Sequence, residues 1–173
     1  NIVGKYGAPV QALLKKAAAL PVKTVCPLHG PVWRENIAWF VDKYDKWSSY
    51  IPEENAVAIF YGSVYGHTQE AAEILASCLA DLEVKNIKVY DVSAQHSSYL
   101  VAEAFRCSHL VFASSTYNAG IFENMDILID DLIKHALQNR KVALIENGSW
   151  AATAGMFMKE KLSKCKNTEF IGD

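Results

Sequence analysis

The chain has 173 residues, 51% of them hydrophobic and 21% charged, with a net charge of −2, which is an ordinary globular composition with room for one domain and an appendage. Its 17 basic residues are scattered among 19 acids, so no basic face is expected for nucleic acid or anionic lipid. No apolar run approaches the roughly 18–20 residues of a membrane span, and the first residues lack a basic-then-apolar signal pattern, so a cytoplasmic protein without a membrane partner is expected.

In chain order, Pro9 to Leu20 reads as a helix, Val22–Val25 as a short strand and Cys26–Trp33 as a loop with two prolines. Arg34–Tyr50 follows as a helix burying Ile37, Val41 and Tyr44. Residues 51–55, with Pro52 and two glutamates, read as a linker. From Ala56 onward short apolar runs alternate with helical periodicity, the signature of a parallel sheet covered on both faces. Strands are expected at Ala56–Tyr61, Ile87–Val92, Leu110–Ser114 and Val142–Glu146, with a fifth starting at Glu169. Between them run helical patterns on Ala71, Ala72, Leu75, Cys78, Leu79 and Leu82; on Leu100, Val101, Ala104 and Phe105; and on Met125, Leu128, Ile129, Leu132, Ile133 and Ala136. A shorter helix is expected from Thr153 to Ser163. The fold class is therefore α/β, a doubly wound parallel sheet with a short N-terminal α/β appendage. Four cysteines, Cys26, Cys78, Cys107 and Cys165, form no C-x-x-C pair, which argues for free thiols rather than a zinc site or a redox dithiol.

Ligands of a doubly wound sheet bind beyond the carboxyl ends of its strands, where strand order reverses. After the first strand comes Ser63-Val64-Tyr65-Gly66-His67-Thr68, hydroxyls and a tight turn leading into a helix, which suits a phosphate dianion at a helix N-terminus. The stretch from Gly62 has no Lys after its second glycine, Gly66, and lacks G-x-G-x-x-G spacing, so a mononucleotide held by neutral donors fits better than a nucleoside triphosphate or a dinucleotide. After the third strand comes Ser115-Thr116-Tyr117-Asn118-Ala119-Gly120, and after the fourth Asn147-Gly148-Ser149-Trp150. Two aromatics, Tyr117 and Trp150, in turns beside a phosphate site suit a flat heteroaromatic ring with polar groups at its rim.

These residues carry a resemblance. The segment from Ala56 to Thr168 resembles the flavodoxin-like domain of flavodiiron proteins, the A-type flavoproteins. Ser63, Tyr65-Gly66 and Thr68 match that family's first loop, and Ser114-Ser115-Thr116-Tyr117-Asn118 matches its Ser-Pro-Thr-Tyr-Asn loop with Ser115 in place of proline. Gly148, Ser149 and Trp150 match its third loop, although the residues after Trp150 fit less well. Upstream, Pro27-Leu28-His29-Gly30-Pro31-Val32-Trp33-Arg34 resembles the Pro-Ser-His-Gly-Pro-x-Trp-Arg stretch closing the family's metallo-β-lactamase-like domain. Asn1-Ile2-Val3-Gly4 and Tyr44-Asp45-Lys46-Trp47 also resemble that domain's tail.

The resemblance implies a flavodoxin-like strand order 2-1-3-4-5, with residues 1–50 as the tail of the metal domain and 56–173 as the FMN-binding domain. It implies that the last strand and its helix are cut short. It also implies FMN as cofactor, bound by the sixteen residues of the three loops, and His29 as a metal ligand only in an intact parent with a non-haem diiron centre. That parent would take electrons from rubredoxin or a similar donor, pair as a homodimer or larger homo-oligomer, and reduce O2 to water or NO to N2O. Within this chain His29 is a lone imidazole with no H-x-E-x-D-H cluster, and one ligand cannot hold two irons, so it is expected to be an ordinary loop histidine. The alternatives are a free-standing flavin electron carrier or quinone reductase, and a cofactor-free signalling domain of the receiver type, against which Gly62 and Ser63 stand where a phospho-acceptor Asp is needed.

Overall fold

A computed structural model describes residues 4–172; Asn1, Ile2 and Val3, on which part of the tail resemblance falls, lie outside the described residues. Five parallel strands form the sheet: β1 (Glu54–Gly62), β2 (Ile87–Asp91), β3 (Cys107–Tyr117), β5 (Arg140–Asn147) and β6 (Thr168–Phe170). The two-residue β4 (Gly120–Ile121) pairs antiparallel with the end of β3. The spatial order is β2-β1-β3-β5-β6, which is the expected 2-1-3-4-5 once β4 is set aside.

Side chains alternate across a strand, so each central strand supplies two cores. Ala58, Phe60, Leu110 and Phe112 face α4 (Ser97–Arg106), α5 (Glu123–Lys134) and α6 (Ala154–Leu162), burying Leu100, Val101, Met125, Leu128, Leu132 and Met158. Val57, Ile59, Val111 and Ala113 face the other way and pack on Ala72, Leu75 and Leu79 of α3 (His67–Asp81). Within the first core Phe60 stacks on Phe112 at 5.5 Å and on Tyr90 at 5.7 Å. The α4 and α5 faces match the expected periodicity. On α3 the expected stripe is too wide: Cys78 and Leu82 are exposed, and Leu82 lies past the last helical residue, Asp81. Cys107 and Cys165 are buried, and burial pushes both thiols up to about 11.

Residues 4–50 form a helical hairpin, α1 (Gly7–Ala17) against α2 (Ile37–Ser49), tied by Gln11 donating to Asp45 Oδ1 at 2.7 Å and Ser48 Oγ at 2.8 Å. The expected strand Val22–Val25 is absent; Val25 makes a single antiparallel bridge to Trp33, since Pro21, Pro27 and Pro31 deny the segment the donors a ladder needs. Val41, expected to be buried, is exposed, while Ile37 and Tyr44 are half-buried together with Phe40 and Trp47. Trp33 packs on Trp39 and Phe40 at 5.5 and 5.2 Å. The linker is shorter than expected, for Glu54 and Asn55 already belong to β1.

The hairpin meets the domain at the amino edge of the sheet. There Arg140, the first residue of β5 and 2% exposed, spreads its guanidinium over five carbonyl oxygens. Nε and Nη2 donate to Ala104 and Phe105 at 3.0 and 2.6 Å, in the last turn of α4, where the helix dipole favours a cation. Nη1 donates to Tyr50, which ends α2, at 2.9 Å, and to Gln138 and Asn139. Burial lowers the guanidinium to about 10, so it remains charged at neutral pH. Beside it Arg106 pairs with Glu103 at 2.6 Å and Glu54 at 2.7 Å. Burial pushes the Glu103 carboxyl up, but hydrogen bonds from Arg106 and Tyr90 outweigh it and hold the group below the usual carboxylate range. Replacing Arg140 with Leu orphans several buried carbonyls and is expected to lower stability by about 2–4 kcal/mol. Urea unfolding checks this, and an unchanged midpoint would contradict it.

Candidate functional site

The crevice lies at the carboxyl edge of the sheet, opposite the Arg140 cluster. β1 leads into the Ser63–Gly66 turn, where Ser63 Oγ accepts from the Gly66 N–H at 3.0 Å. Gly66 sits at φ +91°, a conformation that costs glycine little and an L side chain more. α3 opens at His67, and its N-terminus carries no side-chain cap. Its first-turn N–H groups therefore have no side-chain acceptor, at the positive end of the helix dipole.

β3 runs three residues beyond its expected end and turns back at Asn118-Ala119 into β4, so the second loop is a hairpin rather than an irregular loop. Both turn residues have positive φ, 48° and 58°, the conformation of a two-residue hairpin turn whose twist matches the strands. Ala119 adopts it without being glycine, a strain held in place by Thr153, whose Oγ1 donates to the Ala119 carbonyl at 3.2 Å.

Strand alternation sorts the polar groups of the three loops between the two faces. On the α6 face, Thr116 Oγ1 accepts from the Thr153 and Ala154 N–H groups at 3.0 and 3.2 Å. Glu146 accepts there from the Gly155 N–H at 2.7 Å, and together they satisfy the first donors of α6. On the α3 face Ser115 and Asn147, register partners on β3 and β5, both reach Thr68. The segment between Asn147 and Thr153 is thus pinned at both ends, and Gly148 is required inside it: a Cβ there would lie 2.6 Å from the Ala151 carbonyl oxygen.

A cavity of about 480 Å³ opens between these loops, within the range of small-molecule sites. Ser63, Val64, Tyr65 and His67 line it from the first loop, Ser115, Thr116, Tyr117, Asn118 and Ala119 from the second, and Asn147, Gly148, Ser149 and Trp150 from the third. Three of the expected residues lie behind the lining: Gly66 and Gly120 shape turns, and Thr68 is 1% exposed beneath the floor. Ala151 and Thr153 line the cavity without having been expected to; no pattern in the sequence sets them apart from the start of α6. The lining contains no Lys, Arg, Asp or Glu, so a bound anion would be met by backbone donors, hydroxyls and the His67 imidazole. Tyr117 is 48% exposed with its ring edge against Phe122, and Trp150 is fully exposed at the mouth. His29 is not among the lining residues; it lies on the exposed loop closed by the Val25–Trp33 bridge. Among the described residues no group of three or more His, Cys, Asp and Glu could hold a metal ion.

Fold and crevice together define a doubly wound mononucleotide-type domain. Residues 59–168 match the profile of the flavodoxin family, and the chain belongs to that family. It is 27% identical over 153 residues to the anaerobic nitric oxide reductase flavorubredoxin of Vibrio vulnificus, an alignment covering 87% of this chain and 31% of that protein. Among solved structures, rubredoxin oxygen:oxidoreductase from Desulfovibrio gigas superposes with a TM-score of 0.85 at 22% identity, covering 97% of this chain and 43% of the other. The flavodiiron protein of Giardia intestinalis superposes with a TM-score of 0.87 at 18% identity, covering all of this chain and 44% of the other. This chain therefore spans about a third of the curated relatives it matches. A Streptococcus pneumoniae flavodoxin covers only 66% of it, with a TM-score of 0.55, whereas the flavodiiron structures extend over the helical hairpin as well.

No described helix is long and apolar enough to cross a membrane. Replacing Thr116 with Val removes the acceptor for two α6 donors and is expected to cost about 1–2 kcal/mol. Hydrogen exchange at Thr153 and Ala154 should rise in the same variant, and unchanged protection there would contradict the pinning of the third loop.

Proposed function

We propose that this chain is an FMN-binding electron-transfer module, with the cofactor seated in the carboxyl-edge cavity. What carries the proposal is the convergence of three loops on one crevice that joins an uncapped helix N-terminus to two exposed aromatic rings. The residues fit the cofactor: the dianionic phosphate suits the α3 N-terminus with Ser63 and His67, and the flat ring suits the space between Tyr117 and Trp150. The sixteen residues of the three loops form this site, thirteen in the lining and Gly66, Thr68 and Gly120 behind it. FMN bound there would supply one- and two-electron transfer. The chain's own contribution is to hold the ring at a fixed edge, to keep water from its faces with Tyr117 and Trp150, and to present backbone groups of the Asn118-Ala119 and Gly148 turns at its rim.

In the intact protein this module would serve an oxidoreductase of the flavodiiron type, reducing O2 to water or NO to N2O in the cytoplasm, with rubredoxin or a similar protein as donor. Residues 1–50 would be the tail of a metallo-β-lactamase-like domain and His29 one ligand of its diiron centre. Coverage of the whole chain by the flavodiiron structures, and not by the free flavodoxin, supports that assignment. The hairpin is tied to the amino edge and the cavity lies at the carboxyl edge, with β1 alone spanning about 30 Å between them. A subunit arranged in this way favours a homodimer or larger homo-oligomer in which one copy's cavity serves another copy's metal domain.

Titration of the folded chain with FMN, followed by flavin fluorescence, is expected to show quenching with one site at micromolar or tighter affinity. Trp150→Ala and Tyr117→Ala are each expected to weaken it about tenfold, from lost stacking. A well-folded chain that leaves flavin fluorescence unchanged would overturn the proposal.

A further inference from the structure

In the cavity lining His67 is the one side chain of a type that changes charge near neutrality. The wall holds no Lys, Arg, Asp or Glu, and its other titratable groups are the phenols of Tyr65 and Tyr117, a residue type that ordinarily ionises near pH 10. An imidazole ordinarily exchanges its proton near pH 6.5. His67 is the first residue of α3 and is exposed. Its ring has no hydrogen-bond or ion-pair partner among the described residues. The carboxylates on the elements around the start of α3 stay out of the lining. Asp91, ending β2, accepts from the Ser93 N–H; Glu146, on β5, accepts from the Gly155 N–H; and on α3 itself Glu73 accepts from Gln69 while Glu70 is exposed in the first turn. The carboxyl ends of β1 and β3 bring only the phenols of Tyr61 and Tyr117.

The geometry points to His67 as a proton-dependent specificity residue: protonated, it adds the one cationic side chain to a phosphate site otherwise built from neutral donors, and it withdraws that charge when the proton leaves. This rests on the FMN assignment. A dianion favours the imidazolium, so affinity for FMN is higher with the ring protonated and falls as pH rises through the imidazole range. The phosphate works in the opposite sense. A phosphate monoester loses its second proton near pH 6, and below that it carries less charge for the site to hold. Affinity for FMN therefore peaks where both charges coexist, between about pH 6 and 7, with the alkaline decline set by His67 and the acid decline by the ligand. A flavin without the phosphate offers the imidazolium no dianion. His67 thus makes the preference for FMN over riboflavin larger at pH 6.5 than at pH 8.5.

Wild type and His67→Asn are titrated with FMN and with riboflavin between pH 6.5 and 8.5. Asparagine keeps a hydrogen-bonding side chain and takes up no proton. Wild type is expected to lose about fivefold in affinity for FMN across this range, the scale of an exposed ion pair. Riboflavin affinity should stay level, and His67→Asn should hold FMN with the same affinity throughout. The inference is overturned if His67→Asn keeps the wild-type slope, if wild-type affinity for FMN is level, if riboflavin weakens in parallel, or if riboflavin alone binds. His67→Gln supplies the same comparison should the asparagine variant not fold. If the folded wild type binds neither flavin, the FMN assignment fails, and His67 is judged with inorganic phosphate. The ring-proton resonances of His67, followed through a pH titration, should then titrate at higher pH when phosphate replaces chloride at constant ionic strength. A titration curve that phosphate leaves in place would overturn the inference on its own.

Discussion

Everything at the candidate site depends on the parallel pairing of β1 with β3. The register runs from Val57 opposite His109 to Gly62 opposite Ser114, and both strands are apolar on both faces because helices cover each side. β2 takes the other flank of β1, so the chain leaves β1 in one direction and returns on its opposite side at β3. The connections that follow these two strands part from each other, and the gap between them is the crevice. A register slip of one residue would exchange the two cores and turn Ser115 and Asn147 toward the α6 face.

The two ends of the sheet are built from different chemistry. At the amino edge a buried guanidinium gathers carbonyls from α2, α4 and the turn before β5, and ion pairs of Arg106 reinforce it. Charge there is spent on joining the helical hairpin to the domain. At the carboxyl edge the connections are hydroxyls, an amide and one carboxylate capping α6, and the cavity wall itself carries no ionised side chain of Asp, Glu, Lys or Arg. A wall with no ionised Asp or Glu in its lining and an uncapped helix end at one side suit a dianion.

Much of this was legible in the sequence, because strands buried on both faces give unbroken apolar runs and the helices of one face keep a clean period, as in Leu100, Val101, Ala104 and Phe105. The loop residues were legible for a related reason: a doubly wound sheet fixes which connections meet. What escaped notice depends on tertiary placement. The β3–β4 hairpin hinges on Asn118-Ala119, which lacks the glycine that usually marks such a turn. Cys78 and Leu82 are exposed although they fall on the apolar stripe of α3, because periodicity does not encode how much of a helix face its neighbours cover. Arg140 sits in the sequence as one more surface-like cation before an apolar run, and only the meeting of α2, α4 and β5 reveals its carbonyl cage. Thr68 carries the right residue type for a phosphate loop, and its burial against Ser115 and Asn147 follows from where α3 meets the ends of β3 and β5.

Amide chemical-shift mapping of the isotopically labelled chain on addition of FMN tests the central claim most directly, since it reports binding and location together. The account predicts large shifts confined to Ser63–Thr68, Ser115–Gly120 and Asn147–Thr153, with the amino edge around Arg140, Asn139 and Tyr50 unmoved. A folded chain whose spectrum ignores FMN, or whose shifts gather at the amino edge, would contradict it.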